Sequence, residues 1–423
     1  MLDAKKTDGF CAILKEELLL ATGCTEPIAV AYCAAKLRAV LGGKPEKVLA
    51  EVSGNILKNV KSVVVPNTGG RRGIEAAIAV GLVAGDPDAE LQVIAHVAED
   101  DSAAIQAFMD ATPITVTCPE TPRMLDIRLT GWLKGHQAVV HVANNHTNII
   151  YMEKDGRVLL EKPHSDSAED SLTDKSILNL QDILTFVQTV PLERIEPLTG
   201  PQIRYNGAIA AEGLRHDWGA NIGSTLLAGD SGIVTEARAW AAAGSDARMN
   251  GCEMPVVICS GSGNQGITAS VPVWRYGLHL GVSEEKILRA VALSDLVTIY
   301  QKTGIGRLSA YCGAVSAGVG AGCAIAWLCG ADDDGISHTL MNAAAMISGC
   351  ICDGAKASCA SKIAMSVNCG ILGWQMAQKG NNFRPGDGIV GADVADTVKN
   401  IGILARQGMR ETDRVILRIM TGK

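Results

Sequence analysis

Aromatic side chains are scarce in this sequence: Phe, Trp and Tyr make up only 4% of its 423 residues. A core with few rings must be filled by aliphatic and small side chains, which let backbones approach closely. That favours tightly packed helices over a sandwich built on aromatic anchors. Positive charge is also short, with 38 Lys and Arg against 45 Asp and Glu and a net charge of −7. A nucleic-acid binder needs the opposite balance, so that class is excluded. The N-terminus, Met1-Leu2-Asp3-Ala4-Lys5-Lys6, lacks the apolar stretch of a secretory signal. Charge is not dominant either: 20% charged and 47% hydrophobic residues provide a sizeable core and exclude a disordered chain.

What is abundant is glycine, with 46 residues, and cysteine, with 13. An odd cysteine count without a secretory signal argues against a disulfide framework. Reduced thiols in a cytoplasmic protein are expected, some of them metal-binding. Between Arg307 and Asp332 there are 24 residues without a charge, long enough to cross a bilayer. The stretch is rich in Gly, Ala and Cys, and no aromatic belt or basic cluster flanks it. A buried helix of a soluble protein is therefore expected, with no membrane partner.

The length gives a prior of two or three domains at ~150 residues each. Residues 7–41 read as helix broken at Gly23–Pro27 and stopped at Gly42-Gly43. β-Branched or alternating runs predict strands at Lys47–Val52, Lys61–Val65, Leu91–His96, Ile114–Cys118, Leu125–Thr130, Ala138–Val142, Asn148–Met152 and Val158–Leu160. Asp155-Gly156 marks a hairpin turn. Helices are expected from Arg71 and from Ser102, and an acidic loop at Pro163–Asp174. Beyond Pro191 helical patterns alternate with Gly-rich breaks. The expected architecture is an α+β domain over 1–190 followed by a mainly α-helical domain over 191–423.

Cys24 lies in Gly23-Cys24-Thr25-Glu26-Pro27, between two apolar helical segments. Thr25 suits a helix cap and Pro27 a first turn. A thiol beside a helix N-terminus gains thiolate character from the helix dipole. An ordinary buried cysteine near a cap fits the same residues. Cys350-Ile351-Cys352 and Cys359 surround a Gly-containing break, which lets Cys352 and Cys359 converge on one point, as cluster ligation needs. Their spacing matches neither a zinc ribbon nor a ferredoxin run. Cys11, Cys33, Cys118, Cys252, Cys259, Cys323 and Cys329 read as small core hydrophobes.

The loop Ser260-Gly261-Ser262-Gly263-Asn264-Gln265-Gly266 precedes a helix, and its backbone N–H groups suit a carboxylate or phosphate. It is not a Walker sequence, and a turn without a ligand is equally compatible with it. Asn67-Thr68-Gly69-Gly70-Arg71-Arg72 is similar, with two cations added. His141 to Asn148 supplies polar groups between two strands.

These elements in this order resemble the L-cysteine desulfidase family, relatives of the iron–sulfur L-serine dehydratases. The resemblance covers nearly the whole chain. It rests on Gly23-Cys24-Thr25-Glu26-Pro27-Ile28-Ala29, Pro66-Asn67-Thr68-Gly69, His146-Thr147-Asn148-Ile149, Gly263-Asn264-Gln265-Gly266 and the cysteine pattern. The family's single thiol followed by a close pair falls on Cys312, Cys352 and Cys359, separated by 40 and 7 positions. The resemblance implies a serine-dehydratase-like fold and a [4Fe–4S] cluster held by those three cysteines, with one open iron and no pyridoxal phosphate. It implies β-elimination of L-cysteine to pyruvate, ammonia and sulfide, with Cys24 as catalytic base. Asn67, Thr68, Arg72, His146, Thr147, Ser262, Gly263 and Asn264 would hold the substrate. L-Serine is a compatible second substrate, and a homo-oligomer is compatible with everything above. Serine dehydratases of this type end in a cysteine and carry a Ser-rich loop ending in His-Thr. This sequence ends Met420-Thr421-Gly422-Lys423 and has Gly23-Cys24-Thr25 instead, which favours the desulfidase branch.

Three rivals stay open at this stage. One is an L-serine dehydratase using the same cluster. Another is pyridoxal phosphate chemistry, with the Ser260–Gly266 loop as phosphate cup and Lys356 or Lys362 as Schiff base. The last is a non-catalytic, cysteine-rich metal- or ligand-binding protein.

Overall fold

The computed structural model describes residues 2–121, 123–162, 173–306 and 309–422. Helix α1 (Ala4–Glu17), capped by Asp3, leads into the short strand β1 (Leu20–Thr22). Helix α2 (Thr25–Leu41) follows and stops at Gly42, which is left-handed, as the paired glycines predict. Then come β2 (Lys47–Val52), α3 (Gly54–Val60), α4 (Gly73–Val83) and α5 (Asp101–Ala111). Strands β3 (Ile114–Thr117), β4 (Asp126–Leu133), β5 (His136–Ala143), β6 (Ile149–Lys154) and β7 (Arg157–Glu161) complete this part.

Six strands form one sheet in the order β3-β2-β4-β5-β6-β7, with β2 and β3 parallel and every other pair antiparallel. The Asp155-Gly156 turn has both residues at positive φ, as a two-residue hairpin requires. Helix α2 is buried along most of its length and packs on β4 and β5. Its Cys33 thiol donates to the Val140 carbonyl at 3.5 Å, a core role as expected for that residue.

Two predicted strands are absent, and in each the apolar run reports burial rather than a ladder. At Lys61–Val65 the valines pack inward, and pairing is limited to an isolated bridge between Val64 and Arg72. The preceding residues form α3, capped by Ser53. At Leu91–His96 the backbone bonds locally, Val93 N–H to Glu90 and Ala95 N–H to Gln92. Leu91, Val93 and Ile94 are buried, and among the described residues no strand pairs with them. The acidic loop predicted at 163–174 falls, up to residue 172, outside the described residues.

The rest is helical: α6 (Leu180–Thr189), α7 (Leu192–Arg215), α8 (Ile222–Gly229) and α9 (Ile233–Met249) come first. Strand β8 (Pro255–Val257) interrupts them before α10 (Gly263–Leu280), α11 (Glu284–Ile305) and α12 (Gly313–Leu328). Helices α13 (Asp333–Ile347), α14 (Cys359–Ala377), α15 (Val394–Ile403) and α16 (Arg410–Thr421) follow. The uncharged stretch is α12, wrapped by α10, α11, α13 and α14. Among the described residues no helix is long and apolar enough to cross a membrane.

The crossing of α12 with α14 explains the glycine content. A Cβ on Gly370 would lie 2.2 Å from the Gly318 carbonyl oxygen, so only bare backbone fits. Strand β1 pairs antiparallel with β8, Leu20 opposite Val257, and ties the start of the chain to the helical part. That pair delivers two loops to one place, Gly23-Cys24 after β1 and Cys259–Ser262 after β8.

Candidate active site

Cys24 is the residue just before α2, with an extended backbone and no side-chain cap bond. Thr25, expected to cap the helix, is instead its first residue. Its hydroxyl faces the Glu26 carboxylate at 3.0 Å and the Gly261 carbonyl at 3.0 Å. The latter contact joins the two loops. The Cys24 thiol donates to Glu26 Oε2 at 3.2 Å, and Asn59 Nδ2 donates to Glu26 Oε1 at 3.1 Å.

This arrangement corrects the thiolate expected from the helix dipole. Burial comes first, and the adjacent Glu26 charge second, in pushing the Cys24 thiol well above its ordinary value. Arg248 opposes both and is outweighed. Cys24 is therefore a protonated thiol with a carboxylate acceptor already in place.

The second group of thiols lies around the start of α12 and the loop before α14. Cys312 immediately precedes α12, and its N–H donates to the Cys350 carbonyl at 3.1 Å. The N–H of Cys352 donates to the Ala310 carbonyl at 2.6 Å, and Tyr311 and Ile351 form a bridge between these bonds. Cys359 opens α14, its thiol directed at the Gly354 carbonyl at 3.6 Å. A Cβ on Gly354, where φ is +96°, would fall 2.4 Å from the Lys58 carbonyl oxygen. The loop thus lies directly on α3.

Each thiol feels the others. A hydrogen bond with Cys350, then burial, raises Cys312, while the same bond holds Cys350 below its ordinary value with help from Lys362. Burial and the nearby Cys312 raise Cys352, and Lys58 opposes them. Cys359 is pushed up to about 12, chiefly by burial, with Cys352 and Cys312 adding to it. The two groups meet: Cys24, Val63 and Met249 form a small buried cluster against which Ala355 and Cys359 pack.

Among the described residues, no three His, Cys, Asp or Glu side chains converge tightly enough for a single metal ion. A four-iron cluster asks for something different, since each thiolate binds its own iron and the ligands stand further apart. An all-thiol donor set of Cys312, Cys352 and Cys359, with Cys350 alongside, fits such a group by its chemistry. Lysines balance the charge. Lys362 pairs with Asp353 and donates to the Ile351 carbonyl at 3.0 Å, while buried Lys58 pairs with Asp413 of α16. Lys356 is also paired with Asp353, at 3.4 Å, so neither lysine named for a Schiff base stands apart from a carboxylate.

Of the expected substrate residues, Ser262, Gly263 and Asn264 lie at the start of α10 beside the Cys24 loop. Asn264 Oδ1 accepts from Arg248, 3.1 Å away. The side chain of Asn67 donates to the Ile94 carbonyl at 2.6 Å and ties its loop to that segment, while Thr68 donates to the Val65 carbonyl at 2.6 Å within the loop. Arg72 is exposed and donates to the Ser62 carbonyl at 3.0 Å. His146 is buried in the turn after β5, where the Thr147 carbonyl accepts from Ile149 at 3.1 Å. Two residues escaped the reading of the sequence as site residues in their own right. Glu26 was passed over as part of a motif, although a carboxylate two positions from a cysteine was signal enough. Arg248 ends a helix and carries no local signal at all.

The sequence pattern of the serine dehydratase alpha chain matches residues 88–418. The chain belongs to that family. Curated relatives extend over nearly the entire length. A UPF0597 protein of Desulfitobacterium hafniense is 50% identical over 409 residues, covering 96% of this chain and 95% of its own. One from Treponema denticola is 44% identical over 426 residues, covering 99% of each. One from Lachnoclostridium phytofermentans is 47% identical over 410 residues, covering 96% of this chain and 98% of its own. Membership in the family makes a dehydratase-type lyase acting on a small amino acid the coarse functional class. The matched region includes Cys312, Cys350, Cys352 and Cys359, whereas Cys24 lies before it.

Proposed function

We propose that the protein is an L-cysteine desulfidase, a β-eliminase that converts L-cysteine to pyruvate, ammonia and sulfide. The observation that carries this reading is the meeting of a thiol–carboxylate pair, Cys24 and Glu26, with a group of four further thiols. Cys312, Cys352 and Cys359 would hold a [4Fe–4S] cluster. When bound, a cluster with one iron free of protein ligands supplies a Lewis acid for the departing β-substituent.

The residues of the chain supply the proton chemistry. Glu26 takes the proton of the Cys24 thiol, and the resulting thiolate removes the proton from the substrate Cα. The Cα–H electrons form the Cα–Cβ double bond, and the bond to the β-sulfur breaks with its electron pair on sulfur. The aminoacrylate so released tautomerises to an imine and hydrolyses to pyruvate and ammonia. Asn59 holds Glu26 from the far side and fixes its orientation. Burial around Cys24 keeps bulk water from reprotonating the base.

A second reading, L-serine dehydratase, draws on the family match. The test is anaerobic purification with iron and acid-labile sulfide analysis, followed by parallel assays of L-cysteine and L-serine. Sulfide and pyruvate in equal amounts from L-cysteine, at higher kcat/KM than pyruvate from L-serine, is the expected result. A large preference for L-serine replaces the desulfidase by the dehydratase.

A further inference from the structure

Arg248, at the end of α9, is 2% exposed and has no carboxylate partner among the described residues. Its guanidinium spans the gap between the two loops of the site. Nε donates to the Gly23 carbonyl at 3.1 Å, and Nη1 to Asn264 Oδ1 at 3.1 Å. Both acceptors are neutral. Among the described residues Nη2 has no acceptor.

Among the described residues neither nearby carboxylate bonds Arg248. Glu26 is occupied by the Cys24 thiol, the Thr25 hydroxyl and the Asn59 amide. Asp246, two residues back on α9, accepts the Gly223 N–H at 3.0 Å. A buried cation without a counter-ion is costly, and retaining one implies that a negative charge joins it when the protein works.

A second feature beside the guanidinium suits an anion. Arg248 lies against the start of α10, where a Cβ on Gly263 would meet its Nε at 2.4 Å. That helix is 18 residues long, and no side chain caps its first turn, so its opening N–H groups are left for a ligand. Asn264 sits in that turn, with its side-chain oxygen turned to Arg248. A planar guanidinium beside free backbone N–H groups matches a carboxylate.

We propose that Arg248, with the first turn of α10, binds the α-carboxylate of the amino-acid substrate. This rests on the reading of the chain as an amino-acid β-eliminase. It does not depend on the choice between L-cysteine and L-serine, which share that carboxylate. The contact of Nε with the Gly23 carbonyl gives the binding a consequence for the chemistry. The group that holds the carboxylate also positions the residue leading into Cys24, so the substrate Cα is presented to the thiol from a fixed point.

The test uses anaerobic, iron–sulfur-reconstituted protein and two non-reacting probes, L-alanine and L-alaninamide, which differ only in the carboxylate. Calorimetry should show wild type binding L-alanine and discriminating against the amide. Arg248→Met should weaken L-alanine binding by about 30-fold or more and erase the discrimination. Arg248→Lys, which keeps the charge and loses the fork, should fall between the two. In turnover, Arg248→Met should raise KM more than it lowers kcat, and should narrow the preference for L-cysteine over its methyl ester. The proposal is overturned if wild type does not bind L-alanine. It is equally overturned if Arg248→Met binds both probes as wild type does, or loses both equally, the mark of a merely structural arginine. If Arg248→Met does not fold, the probe discrimination of Arg248→Lys decides. Wild type that turns over neither amino acid, yet discriminates between the probes through Arg248, refutes the β-eliminase while leaving this carboxylate site standing.

Discussion

Cys24 and Cys312 occupy the same local position. Each is the residue before an Ala-rich buried helix, each has an extended backbone, and neither caps its helix with its side chain. Their neighbours differ. Cys24 faces the carboxylate of Glu26, whereas Cys312 faces the thiol of Cys350. A helix N-terminus alone would make both thiolates. In this fold both thiols are raised, one by burial and a carboxylate, the other by a neighbouring thiol and burial. What stands in front of the sulfur, not the helix terminus behind it, sets the state of each thiol: a carboxylate two positions on for Cys24, a thiol from another loop for Cys312.

The sharpest way to break this comparison is to truncate each cysteine in turn. Cys24→Ala should lower turnover by at least about 10³-fold while iron and acid-labile sulfide stay at wild-type levels. Cys312→Ala, Cys352→Ala and Cys359→Ala should lose the cluster, read as bleached visible absorption and missing iron. Turnover by Cys24→Ala close to wild type would falsify the base assignment. A non-catalytic metal-binding protein would keep full iron in Cys24→Ala with no activity to lose in any variant.

Glu26→Gln addresses the carboxylate half of the pair. Turnover should fall by about 10- to 100-fold. Because the Glu26 charge raises the Cys24 thiol, its removal lowers that thiol's pKa and should speed Cys24 alkylation at fixed pH, measured by mass spectrometry of the labelled peptide. Slower labelling, or none of the loss in turnover, would place the proton acceptor elsewhere.

Gly354→Ala examines the framework on the metal side. The added methyl meets the Lys58 carbonyl at a backbone conformation that favours glycine, so a destabilisation of about 2–4 kcal/mol is expected by thermal or denaturant unfolding. Iron retention should fall with it, since the loop joins Cys352 to Cys359.

The smallest effect concerns a second thiol–carboxylate pair, Cys259 with Asp295, enclosed in the core. Burial pushes Asp295 up to about 7. Between the ordinary carboxylate range, near pH 4, and about pH 7, the folded state holds a proton that the unfolded state has released. Stability therefore falls as pH rises through that window, and the loss is complete above it. Asp295→Asn should flatten the pH dependence of the melting temperature, with little change in turnover per folded molecule. A carboxylate behind a thiol in the closed core would then act on stability, and Glu26 beside Cys24 on turnover.

Much of this was legible in the chain itself, and the reasons differ by region. The strands β4 to β7 announce themselves by alternation, and the Asp155-Gly156 hairpin by its turn residues, because those signals are local. The valines at 63–65 and the apolar run at 91–94 misled because β-branched burial looks like a strand until a hydrogen-bonding neighbour is sought. In the site, Cys24, Cys352 and Cys359 stood out through their local sequence, and Cys312 through the family resemblance. Glu26 was visible but unassigned, and its effect on Cys24 depended on how the chain turns into α2. Arg248 could not be found, since its meaning comes from two loops brought together across the fold. Asn67 and Thr68 turn their side chains to the Ile94 and Val65 carbonyls, a use of polar loop residues that the sequence does not distinguish from ligand contact.

The pairing of β1 with β8 has a consequence for how the protein is made. The Thr25 hydroxyl and the Gly261 carbonyl that close the Cys24 loop lie 236 positions apart in the chain. Cys359, against which the Cys24 cluster packs, lies further on still. A ribosome must release most of the polypeptide before these loops can meet, so iron delivered early would meet only scattered thiols. A cluster held as proposed would therefore be loaded near the end of synthesis, after the first and last parts of the molecule have found each other.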